Sequence, residues 1–130
     1  MRAMANSSKP EFTCTVAVRP LPEQSQPDAG KYAYAYTVTI RNTGDVTAQL
    51  IARHWIITDA TGHTEEVRGL AVVGHQPMLK PGEHFEYTSW TRIGAPNGTM
   101  RGTFFCMTED AYPFNTPVPE FGLTVASTLH

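Results

Sequence analysis

The sequence predicts an all-β domain: an immunoglobulin- or fibronectin-III-like sandwich of about seven antiparallel strands. Three observations predict it. Apolar and polar residues alternate with period two over several stretches, the mark of half-buried strands. Gly- and Pro-bearing turn signals separate those stretches at short intervals. No segment carries a convincing amphipathic helical stripe. With 130 residues the chain fits one domain. A chain of this size buries roughly two-thirds of its unfolded surface, enough for a core without staples.

Residues 1–11 are Ser/Asn/Pro-flavoured and read as a flexible N-terminal segment; 12–125 read as the folded domain and 126–130 as a flexible tail. From Phe12, the residues Phe12, Cys14, Val16 and Val18 alternate with Thr13, Thr15, Ala17 and Arg19. Pro20, Pro22, Pro27 and Gly30 then predict a loop that no regular element crosses. Lys31–Asn42 is the strongest strand. Tyr32, Tyr34, Tyr36, Val38 and Ile40 line one face of a strand but would spiral around a helix. Asn42-Thr43-Gly44-Asp45 reads as a turn, with Gly44 available for positive φ.

Ala48–Asp59 reads as a second long strand. Leu50, Ala52, His54 and Ile56 share one side; Ile51, Arg53, Trp55 and Ile57 share the other. Asp59-Ala60-Thr61-Gly62 turns the chain into a short strand over His63–Arg68, making a hairpin. Lys80-Pro81-Gly82-Glu83 is another turn before His84–Arg92. Ala95-Pro96-Asn97-Gly98 leads into Thr99–Met107. Residues 109–119 hold Pro113, Pro117 and Pro119 and read as irregular, before a closing strand through Phe121, Leu123 and Val125.

Composition removes several function classes. The net charge of −2, from 10 basic and 12 acidic residues, leaves no electrostatic footprint for nucleic acid. No stretch approaches the roughly 18 apolar residues of a membrane helix, and residues 1–10 lack a secretory h-region. A cytoplasmic protein is expected, with neither nucleic acid nor membrane as partner. Cys14 and Cys106 then read as two small buried hydrophobes, since cytoplasmic thiols stay reduced.

Enzyme signals are weak. Glu65 and Glu66 are adjacent in a strand, point to opposite faces and cannot share a proton. His54, His63, His75, His84 and His130 lack short metal-ligand spacing, so neither a metal site nor a cofactor is expected. His54 is expected to pack or bond within the core. An enzyme would require scattered residues such as His54, Glu86 and Arg101 to converge in a cleft. The stretch Gly69-Leu70-Ala71-Val72-Val73-Gly74 nearly spells G-x-G-x-x-G, but Ala71 holds the middle glycine position and Pro77 follows instead of a helix. The plainer reading is a loop whose Val72 and Val73 cover the sandwich. Turn amides can still form an anion nest, so Arg68, Gly69, Gly74, His75 and Gln76 stand as a candidate ligand- or partner-binding loop. Trp90, Tyr112 and Phe114 stand as candidate partner-binding aromatics.

Several stretches together resemble the ApaG family. They are Tyr32-Ala33-Tyr34-Ala35-Tyr36-Thr37-Val38-Thr39-Ile40-Arg41-Asn42-Thr43-Gly44, Leu50 through Asp59, Val67-Arg68-Gly69, Val72-Val73-Gly74-His75-Gln76-Pro77, Pro81-Gly82-Glu83, Phe85 through Ser89, Gly98-Thr99-Met100-Arg101-Gly102 and Phe121. The resemblance implies a fibronectin-III-like sandwich serving as a non-enzymatic protein-interaction module with a protein partner yet to be named. It further implies an association with cobalt resistance and magnesium efflux. An alternative from the same resemblance is weak binding of a phosphate-rich nucleotide, pyrophosphate or a divalent metal through the Gly-rich loop, which Ala71 weakens.

Overall fold

Alternation builds eight strands: β1 (Phe12–Pro20), β2 (Tyr32–Asn42), β3 (Ala48–Asp59), β4 (Thr64–Leu70), β5 (Met78–Leu79), β6 (His84–Ile93), β7 (Asn97–Thr108) and β8 (Pro113–Thr124). The computed structural model describes residues 8–125; the segments 1–7 and 126–130, expected to be flexible, lie outside the described residues. All pairings are antiparallel. One sheet runs β1-β2-β6; the other runs β4-β3-β7-β8, with the two-residue β5 also pairing β3. The sheets face each other as an immunoglobulin/fibronectin-III-like sandwich.

The core forms where the inner faces meet. Tyr34, Tyr36, Val38 and Ile40 of β2 are buried as the period-two pattern requires. Opposite them, Trp55 of β3 stands edge-on to Tyr36 and Phe104, with centroids 5.7 Å away in each case, and to Phe121 at 6.1 Å. These rings lock the sheets together. Asn42, also buried, donates from Nδ2 to the Val46 and Leu79 carbonyls and accepts from the Gly44 amide.

Several expectations are corrected. The loop after β1 contains two single 3-10 turns, Pro22–Gln24 and Pro27–Ala29, each opened by proline at a position where its missing N–H is not needed. Gly44 does not serve as a positive-φ residue. A Cβ there would lie 2.3 Å from the Lys9 carbonyl oxygen and 2.6 Å from the Glu11 amide nitrogen, so glycine admits the chain entering β1. Thr43 and Gly44 both donate to the Glu11 carbonyl. Residues 113–119 are not irregular but form most of β8. The Thr108 amide bonds the Tyr112 carbonyl, and stepping by two from that pair puts Pro113 and Pro117 where an N–H would point away from β7. Proline is tolerated there because β8 is an edge strand.

The largest correction is in β3. Its register slips between Leu50 and Ala52, a β-bulge that swaps the two faces. Ala48 and Leu50 point inward before it; Trp55 and Ile57 point inward after it. His54 therefore faces outward rather than into the core. Glu86 lies on the opposite sheet, bonded by Thr39 of β2, so His54, Glu86 and Arg101 do not share a cleft.

Both cysteines are free. Burial pushes Cys14 from the usual 9.0 to about 12, with the neighbouring Cys106 adding to the shift, and pushes Cys106 to about 11. Because folding raises these values, the thiols' contribution to stability is complete below pH 9.0 and fades as pH rises towards 11 and 12. Urea midpoints measured across that range should fall on the alkaline side, and a Cys14→Ala/Cys106→Ala chain should lose part of that slope.

Candidate functional site

The Gly-rich loop and the outer face of the five-stranded sheet meet at one depression of about 610 Å³, lined by Ala52, Arg53, His54, Arg68, Gly69, Leu70, Thr103, Phe105 and Asn115. Register explains the grouping. Leu70, Ala52, Phe105 and Asn115 lie directly across from one another on β4, β3, β7 and β8. Arg68, His54, Thr103 and Pro117 form the next row. Three apolar side chains stand exposed on this face: Leu70, at the end of edge strand β4, at 71%, Met78 of the short β5 at 53% and Phe105 of β7 at 37%. Basic groups stand in the next row. His54 Nε2 lies 2.9 Å from Glu66 Oε1, which also accepts from Arg68 at 3.2 Å. These two contacts, His54 first, hold the Glu66 carboxyl below its usual range.

The loop's glycines have separate physical reasons. At Gly69 an added Cβ would sit 2.9 Å from Arg53 Nη1. The missing side chain is a passage through which Arg53 reaches the Leu70 and Ala71 carbonyls, at 2.8 and 3.0 Å. Gly74 has φ +80° and Val73 +48°, the positive pair that a two-residue type I′ turn needs. Val72 and His75 close that turn by exchanging main-chain hydrogen bonds. Ala71, at the motif's middle position, itself adopts φ +69°, and its amide is taken by the Ile51 carbonyl. The amides of residues 71, 72 and 75 are thus spent inside the fold.

Of the loop's two valines, Val72 is fully buried and covers the core as expected, whereas Val73 is exposed. A β-branched residue in the left-handed region is strained by about 1 kcal/mol or more. Val73→Asn, which installs the Asn-Gly pair that type I′ turns prefer, is expected to raise unfolding free energy by about 1 kcal/mol in urea titrations.

The other candidates scatter. His75 leaves the face, its ring packing on Phe85 at 5.4 Å. Gln76 donates to the Ile51 carbonyl and accepts from Gln49. Trp90 is exposed on the other sheet, with the Arg92 guanidinium 5.8 Å from its ring centre. Tyr112 is exposed beyond the end of β7. Phe114 is no surface anchor: it is half-buried and stands edge-on to Phe12 at 5.5 Å. The sequence reading missed Leu70, Met78 and Phe105. The available signal was the Phe104-Phe105 pair, since adjacent strand residues cannot both face the core. Among the described residues no three His, Cys, Asp or Glu side chains gather as a metal-holding group, and no helix is long and apolar enough to cross a membrane.

Comparison with known proteins agrees with this architecture. A family model, the ApaG domain (DUF525), matches residues 22–108. The chain is similar to Protein ApaG of Ralstonia nicotianae, with 58% identity covering 95% of this chain and 99% of the relative. It is similar to Protein ApaG of Bordetella pertussis, with 51% identity covering 98% of this chain and 100% of the relative. The crystal structure of a Bordetella pertussis protein described as ApaA superposes with a TM-score of 0.89 at 51% identity, covering 93% of this chain and 98% of that one.

Proposed function

This chain belongs to the ApaG domain family, and from that premise we propose that it is a non-enzymatic protein-interaction module whose contact surface is the outer face of the five-stranded sheet. One observation carries the reading: Leu70, Met78 and Phe105 stand exposed together on one sheet face, with Arg68, His54 and Arg101 in the rows beside them. An exposed apolar patch bordered by arginine is the kind of surface that protein interfaces use. The partner that fits is an apolar segment flanked by acidic residues, met in the cytoplasm. The link to cobalt resistance and magnesium efflux is then an indirect, regulatory consequence of that binding.

Affinity capture with the immobilised chain tests it. A partner retained by the wild type and by Trp90→Asp should be lost with Leu70→Asp, because only the second change places a charge on the face. Equal retention by all three removes this surface. A second reading, a phosphate-rich ligand at the loop, is supported by Arg68 beside His54. Pyrophosphate titration should then shift the Gly69 and Arg68 amide resonances; silence at millimolar ligand ends that idea.

A further inference from the structure

We propose that β4 is a self-complementary sheet edge through which two copies of this chain pair, antiparallel, about Val67. Among the described residues no strand lies beyond β4 in its sheet, and no proline interrupts it. Its residues are exposed on both faces apart from half-buried Gly69. Main-chain parity identifies which groups are free. The Asp59 amide bonds the His63 carbonyl, and the Ala71 amide bonds the Ile51 carbonyl. In an antiparallel ladder, bonded pairs recur every second residue. Glu65, Val67 and Gly69 therefore turn their N–H and C=O towards β3, while Thr64, Glu66 and Arg68 turn theirs to the open edge. The Leu70 carbonyl is already capped by Arg53, which closes that end.

A two-fold pairing must match free groups with free groups, and only axes at Glu66, Val67 or Arg68 engage more than two of the edge-facing residues. Charge decides among them. Centring on Glu66 sets two carboxylates face to face, and centring on Arg68 sets two guanidinium groups face to face; both are unfavourable. Centring on Val67 sets each Glu66 directly across from the other copy's Arg68, on the same face, with main-chain bonds exchanged at both pairs. Thr64 then meets Leu70 of the second copy. Val67, partly exposed, sits on the axis against its symmetry mate. The result is one continuous sheet across two sandwiches. Leu70 and Arg68 border both surfaces, but this pairing is read from the mass of the chain alone and the interaction reading from a captured partner, so the two stand or fall apart.

Sedimentation of the full chain over a concentration series tests it, with thermal melts confirming each variant's fold. The wild type should move from one-chain towards two-chain mass as concentration rises. Glu66→Arg and Arg68→Glu should each abolish that rise, and the double swap should restore it. In the wild type, the Glu66 and Arg68 amides should gain hydrogen-exchange protection with concentration, while Val67, bonded to β3, should be protected throughout. A wild type that stays single-chain overturns the proposal. So does a dimer indifferent to both single swaps, or one that leaves the Glu66 and Arg68 amides unprotected.

Discussion

Trp55→Ala is expected to cost about 3–5 kcal/mol, the range for deleting a large buried aromatic and leaving a cavity. Trp55 is buried and touches rings from both sheets, Tyr36 on one side and Phe104 and Phe121 on the other. Its loss removes apolar burial and three edge-on ring contacts that no neighbour can replace. Since domains of this size are stable by only about 5–15 kcal/mol, much of the reserve goes with this one side chain. Urea unfolding followed by far-ultraviolet circular dichroism should show a large drop in midpoint at little change in slope. A drop under about 1 kcal/mol would mean that the sandwich is not held at this ring cluster.

Gly102→Ala should also be clearly destabilising, although it adds only a methyl group. Gly102 lies directly across from Trp55 in the β3–β7 ladder. A Cβ there would come within 2.5 Å of the indole ring and 2.6 Å of the His54 carbonyl oxygen. Displacing Trp55 relieves the ring contact, but the His54 carbonyl oxygen cannot move without opening the ladder, so the added methyl strains both packing and main chain. Overpacking of this kind costs about 1–3 kcal/mol, occasionally more. The two sites are in contact, so their effects should not add. With Trp55 already shortened to alanine, the added methyl should cost less, because only the contact with the His54 carbonyl oxygen remains.

Much of this fold is legible in the sequence because alternation is a direct consequence of pleating. Lys31–Asn42 predicted β2 and its buried face, and the turns at Asp59–Gly62 and Lys80–Glu83 lie between strands as expected. What stayed hidden has identifiable physical causes. The bulge near Ile51 inserts one residue without any marker in composition, and that single residue moved His54 from core to surface. β8 looked irregular because prolines break central strands, and nothing in the chain alone says which strand will be an edge. Gly69 looked like half of a phosphate motif, whereas its role depends on Arg53, distant in sequence, passing over it. The candidate site was legible only at Arg68 and Gly69. Leu70, Met78 and Phe105 become a surface only when β4, β5, β3 and β7 are laid side by side, a long-range fact that periodicity does not contain.

The central claim is that the outer face of the five-stranded sheet binds a protein, and site-specific photo-crosslinking in cells of the native host tests it most directly. A photoreactive phenylalanine analogue placed at Phe105, and separately at Trp90 on the opposite sheet, reports what touches each face. The expected result is a discrete higher-mass adduct from the Phe105 position that disappears when Leu70→Asp is added, with none from the Trp90 position. Adducts from the Trp90 position alone, or a Phe105 adduct unchanged by Leu70→Asp, would contradict the account.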